Sequence, residues 1–208
     1  MKKIRGFLCL IVIVALFVLI GACAAIPRLN IAYVMIPGGI VSEERNPIGL
    51  RVADERDTKN ILGPRAESEF RGRLETASLR IGRPFGEMSP AGVFDVPGLW
   101  REAFRRKLSA AGLEPEMGTP SDIPGLLIAV REFVLDVEGR DWVGRISYDA
   151  RLLVDGEIKF SRTVEGSARR MKFVGRSEAE TLMGELFTDS VNRLDLPRFF
   201  DLAGIEWQ

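Results

Sequence analysis

Asp141-Trp142-Val143-Gly144-Arg145-Ile146-Ser147-Tyr148-Asp149-Ala150-Arg151-Leu152-Leu153-Val154-Asp155-Gly156-Glu157-Ile158-Lys159-Phe160 is the stretch that decides the fold. Trp142, Ile146, Tyr148, Ala150, Leu152 and Val154 fall on one parity, and Val143, Arg145, Ser147, Asp149, Arg151 and Leu153 on the other. A period of two with one apolar side is a strand with one face buried and one face wet. Ile158, Phe160 and Val164 continue after Asp155-Gly156, a hairpin signal. A two-residue loop would set Leu152 against Lys159, apolar against charged. An odd loop, Val154-Asp155-Gly156 with a left-handed Gly156, sets Leu152 against Ile158 and is the expected solution.

Moving towards the N-terminus, Leu126 to Val137 is apolar on both parities at its start. That pattern predicts a central strand, joined to the next by a turn near Gly139-Arg140-Asp141. Ile48, Leu50 and Val52 alternate with Gly49, Arg51 and Ala53, a further strand. Ile31 to Ile36 is a short apolar run that reads as an edge strand within a tether. Between residues 58 and 94 the pattern dissolves. Phe70, Leu74, Leu79 and Ile81 suggest strand fragments, and Pro84, Gly86, Pro90 and Gly92 suggest an exposed loop from Gly82 to Phe94.

Two helices are readable. Asp95 is an N-cap, Pro97 suits the first turn and Gly112 is a stop. Val96, Leu99, Trp100, Ala103, Phe104, Leu108 and Ala111 form the apolar stripe between them. Arg101, Arg105, Arg106 and Lys107 line the other side, either as a solvated face or as one that meets anionic headgroups. The second helix opens with Ser177 and Glu180 in capping-box spacing. Ala179, Leu182, Met183, Leu186, Phe187, Ser190, Val191 and Leu194 form its stripe, a core stripe rather than a cofactor box. After Pro197 an apolar tail, Phe199, Phe200, Leu202 and Trp207, docks on the domain or on a partner. The expected fold is α+β: an antiparallel or mixed sheet of four to five strands with two helices packed on one face.

The N-terminus gives an address. Lys2, Lys3 and Arg5 precede Phe7 to Ile20, fourteen residues without a polar side chain, and Ile20-Gly21-Ala22-Cys23 follows. Basic, apolar, then small residues is the order of a secretory signal. An uncleaved transmembrane helix is the competing reading. The run covers only about 21 Å as a helix, although extension to Ile26 would lengthen it. The tetrad resembles the lipobox of bacterial lipoproteins. That resemblance implies diacylation of the Cys23 sulfur, cleavage before it, and a lipid anchor. Ala24 after the cysteine implies the outer membrane, facing the periplasm. The domain organisation is then a signal peptide at 1–22, a lipidated tether at 23–47 and one α+β domain at 48–208.

The lipobox at Cys23, the strand ending Val52-Ala53-Asp54-Glu55-Arg56 and the helix ending Leu108-Ser109-Ala110-Ala111-Gly112 belong to a larger pattern. So do Leu126 to Glu165, with Tyr148-Asp149-Ala150 mid-strand, and the helix Ser177 to Leu194. Together they resemble the YajG-like bacterial lipoproteins over residues 20–195. More distantly the order is similar to the auxiliary lipoproteins of envelope ABC transport and lipopolysaccharide assembly. The 58–94 segment and the tail after Pro197 depart from that pattern. The resemblance brings no catalytic residue with it.

The chemistry is sparse. There is no histidine, which excludes His-dependent triads and most zinc sites. Cys9 leaves with the signal and Cys23 takes the lipid, so the mature chain has no free thiol and no disulfide. Removing residues 1–22 takes three of the 29 cations and none of the 29 acids, leaving about −3; nothing favours nucleic acid. Asp54-Glu55-Arg56-Asp57 and Asp136, Glu138 and Asp141 are the acidic clusters. Either could ligate a hard cation, but each carries Arg beside it and neither has EF-hand spacing. No catalytic residue, metal site or cofactor is expected. Phe85 and Met88, an apolar pair in the Gly82–Phe94 segment, are the candidate partner-binding residues, the alternative being a floppy insertion. The expected function is a non-enzymatic, membrane-anchored envelope lipoprotein that binds a protein or amphiphile. The alternative is an auxiliary subunit of a lipid or lipopolysaccharide transport machine.

Overall fold

The computed structural model describes residues 28–36, 46–118, 120, 122–173 and 175–204. Eight strands and four helices follow in the order β1 (Leu29–Val34), β2 (Pro47–Asp54), α1 (Pro64–Phe70), β3 (Thr76–Gly82), β4 (Ser89–Asp95), α2 (Val96–Ala110), β5 (Glu114–Met117), β6 (Gly125–Glu138), β7 (Asp141–Val154), β8 (Glu157–Met171), α3 (Ser177–Asn192) and α4 (Leu196–Leu202). They form a five-stranded sheet, β5-β2-β6-β7-β8, and a three-stranded sheet, β1-β3-β4. Both sheets are mixed: β2 runs parallel to β5 and β6, and β1 parallel to β3. The expected α+β class and the central position of the 126–137 strand hold.

The even-numbered residues of β7 face inward, and both long helices pack there. From α2, Trp100 lies 4.7 Å from the Tyr148 ring and 4.9 Å from Phe187 of α3. Phe104 and Phe133 complete this aromatic nucleus. Further along β7, Gly144 leaves space for Leu186 and Met183 of α3. α3 therefore shares the α2 face of the five-stranded sheet. It also packs on the other sheet, where a Cβ at Gly184 would stand 3.1 Å from the Ala32 backbone.

The ends of α2 follow local rules. The Asp95 carboxylate accepts from Gly98 N–H at 2.8 Å. At the C-terminus Leu113 N–H donates to Leu108 O and Gly112 N–H to Ser109 O, a Schellman closure with Leu108 and Leu113 both buried. The expected Ser177–Glu180 capping box does not form. Among the described residues no side chain caps α3, and Glu180 instead accepts from Asn30 N–H and Nδ2 of β1. A contact across the fold replaces a local one.

Four more expectations are corrected. The β7–β8 loop has two residues, not three: Val154 pairs with Glu157, and Asp155 and Gly156 carry φ of 54° and 76°. The parity conflict is removed by a bulge at Lys159, which sets Leu152 against Phe160. Within 58–94, Phe70 lies on a helix, α1, not on a strand. Its N-terminal N–H groups at Arg65 and Ala66 are satisfied by Asp136 Oδ1 at 3.1 and 3.0 Å, from a residue far along the chain. The Gly82–Phe94 segment is not a long irregular loop. It is a short turn followed by edge strand β4, whose bulge at Ala91 and edge position accommodate Pro90. Lastly, Leu29–Val34, assigned to the tether, is strand β1, the expected edge strand, with Leu29, Ile31 and Tyr33 fully buried. β1 pairs with β3 and so joins the fold ahead of residue 48.

The basic side of α2 also divides. Arg105 and Arg106 pair with Glu102 at 2.8 Å, as on a solvated face. Lys107 is only 9% exposed and donates to Val191 O at 2.7 Å, capping the C-terminus of α3. The tail docks on the domain: Phe199 and Phe200 of α4 are buried, and Phe199 lies 5.2 Å from Phe160. Trp207 lies outside the described residues.

Candidate functional site

Cys23 lies outside the described residues, as do the signal segment and residues 37–45. Among the described residues no helix is long and apolar enough to cross a membrane.

The odd-numbered face of β7 is turned away from the helices. There Arg131 bridges Glu55 at 2.7 Å and Asp149 at 2.9 Å, while Arg151 reaches Asp149 at 2.9 Å and Glu55 at 3.5 Å. Arg131 is the extra residue of a bulge between Val130 and Glu132, beyond which the odd-numbered residues of β6 face inward. Burial alone would raise the Asp149 carboxyl, but bonds from Thr163, Arg131 and Arg151 outweigh it and lower the pKa. Arg145 bonds to Glu132 at 2.8 Å and reaches Glu138 at 3.4 Å. A trough of about 640 Å³ crosses this face, lined by Arg56, Thr58, Arg131, Arg145, Ser147 and Glu165 among others. Arg56 is 8% exposed, and its Nη1 has no hydrogen-bond partner among the described residues.

Asp54, Glu55, Asp136 and Glu138 of the acidic clusters have structural duties, while Asp57 and Asp141 make no ion pair among the described residues. Asp54 bonds to Arg56 at 2.8 Å and Lys59 at 2.7 Å. Burial would raise its carboxyl, yet those two side chains bring it down to about 2. Asp136 caps α1, and a Cβ on Gly63 would collide with its carboxylate, so this close approach requires glycine. Glu138 pairs with Arg145 and Arg169. Among the described residues no three His, Cys, Asp or Glu side chains gather in a metal-binding group. Of the carboxylates that line the trough, Glu132 is paired with Arg145, while Asp57 and Glu165 make no ion pair among the described residues.

Phe85 and Met88 fall at the β3–β4 turn but have different environments. Gly86 N–H donates to Arg83 O at 3.0 Å, closing a turn with Pro84 and Phe85 at its centre. Phe85 is fully exposed and has a φ of 60°. That second central position favours Gly or Asn when φ is positive. A bulky side chain there costs about 1 kcal/mol and buries nothing. Met88 is half-buried, its sulfur folded over Gly82. The exposure of a turn phenylalanine was legible; its backbone strain was not.

No protein-family model matches the chain. No curated protein sequence matches it. Among solved structures, a protein from Xanthomonas campestris of the family model DUF330 superposes with a TM-score of 0.52 at 15% identity, over 86% of this chain and 95% of its own. A lipoprotein from Neisseria meningitidis gives a TM-score of 0.37 at 17% identity, over 72% of this chain and 97% of its own. A minor lipoprotein from Acinetobacter baumannii gives 0.36 at 10% identity, over 76% and 93%. The first likeness is one of fold; the other two are too distant to carry more than their description.

Proposed function

We propose that this chain is a non-enzymatic envelope lipoprotein, attached through lipid on Cys23, whose Phe85 turn grips a protein or amphiphile partner. The observation that carries the reading is Phe85 itself: strained, wholly exposed and without a packing role. Strain of this kind concentrates where a site uses it. β1 and β3 run parallel, with Leu29 opposite Ala77 and Val34 opposite Gly82. The turn after Gly82 therefore stands about 20 Å from the point where the tether enters β1.

Phe85→Gly separates binding from folding. The variant should be as stable as the parent or more stable by about 0.5–1 kcal/mol, because glycine relieves the positive φ. Crosslinking from position 85 in intact envelopes should capture one specific protein or lipid, and Phe85→Gly should lose that partner in pull-down. Recovery of a permease or ATPase subunit assigns the protein to a transport machine. Failure to recover any specific species, or a destabilised Phe85→Gly, sinks the turn as the contact.

A further inference from the structure

The end of the domain where β1 begins carries an apolar pair that nothing covers among the described residues. Met171, the last residue of β8, is 57% exposed and Phe173 is 64% exposed. Met171 pairs with Asp141, and Lys172 N–H donates to Arg140 O at 2.8 Å, so both flank the Gly139–Arg140 turn. The start of α3 is at the same end. Arg176 stands 4.4 Å over the Phe70 ring, and Asn30, next to Leu29, bonds to Glu180 at 2.7 Å. The first residue of β1, the first turn of α3, the C-terminus of α1 and the exposed pair therefore share one end.

Arg28, Arg71, Arg73, Arg140 and Arg176 lie at this end and make no ion pair among the described residues, against Glu75, Asp141, Glu178 and Glu180 in the same condition. The surplus is cationic. The length of chain ahead of β1 says what lies opposite. Only Ala24 to Arg28 separate Cys23 from Leu29. Fully extended, that stretch reaches about 20 Å. A lipid on Cys23 keeps this end within about 20 Å of the bilayer surface.

We propose that Met171 and Phe173, framed by these arginines, form a membrane-docking face that rests on the anionic phospholipid surface of the anchoring bilayer. Apolar side chains set among cations are the composition that binds such interfaces. The docking face rests on the Cys23 anchor reading, and the experiment separates the two. The full-length lipidated protein is reconstituted into phosphatidylethanolamine–phosphatidylglycerol vesicles doped with a nitroxide lipid quencher. One sample carries a fluorophore at Ser177→Cys, an exposed residue at the docking end, and another at Phe85→Cys. Flotation reports the anchor, and quenching reports the orientation.

The expected result is flotation of both samples, with the label at 177 quenched by the lipid and the label at 85 not. Met171→Ser with Phe173→Ser should leave flotation intact and reduce the docked population about tenfold. Flotation with both labels equally unquenched overturns the docking face and leaves the anchor standing. Failure to float overturns both. Shielding of the 177 label from aqueous iodide without lipid quenching shows a protein neighbour on the patch and also overturns the proposal.

Discussion

Lys107 allows a quantitative test of the packing between α2 and α3. Its ammonium is buried at the C-terminus of α3, bonded to Val191 O at 2.7 Å. Desolvation pushes its pKa down from 10.5 to about 8, with Asp195 opposing. The folded state thus holds this proton more weakly than the unfolded chain. Between about pH 8 and 10.5 the unfolded state binds more protons, so stability rises with pH across that window. Below about pH 8 the whole penalty of the buried charge is present. Applying the two pKa values, the contribution of Lys107 to stability should improve by about 2 kcal/mol from about pH 7 to about pH 9.5. Other groups titrate over the same range, so the comparison is with Lys107→Met, which keeps the length of the side chain and removes the charge. Urea denaturation of both proteins at the two pH values gives the double difference. The parent should gain about 2 kcal/mol on the variant as pH rises. Parallel pH profiles would refute the reasoning and show that water reaches the ammonium in the folded state.

Three further outcomes are expected. Asp136→Ala leaves two N–H groups at the start of α1 without acceptors, and chemical denaturation should show a loss of about 1–2 kcal/mol; an unchanged midpoint would mean that α1 does not depend on that cap. Asp54, held at about 2 by Arg56 and Lys59 against its burial, stabilises the fold above about pH 4 and stops doing so as pH falls towards 2. Allowing for solvent screening, Asp54→Asn should abolish about 1 kcal/mol of the acid-dependent loss, and an acid titration of the variant identical to the parent would count against the pair. Cys23→Ala should stop lipidation and leave unprocessed precursor, visible as a heavier species in the envelope fraction; normal processing by the general signal peptidase would remove the lipobox reading.

How much of this was legible in the chain depends on the range of the interactions involved. The period of two through Trp142–Val154 and the helical stripes of α2 and α3 determined the element types. Each depends on which side of a strand or helix is apolar, and neighbours in the chain decide that. Asp95 and Gly112 bounded α2 because caps are made within one turn. The α+β class followed from those elements alone.

Tertiary structure decided the rest, because the deciding contacts join distant segments. α1 exists where Asp136, some seventy residues on, satisfies its N-terminal N–H groups; neighbouring sequence showed only punctuation. Glu180 left its capping role for Asn30 of β1, and Lys107 left the solvated face for the end of α3. The bulges at Arg131 and Lys159 reset register by one residue each, a choice made by the partner strand, since either face of a strand reads the same locally. The strained Phe85 turn and the exposure of Met171 and Phe173 among the described residues belong to this second group. Sequence reveals that a residue is apolar, but only the assembled fold shows whether anything covers it.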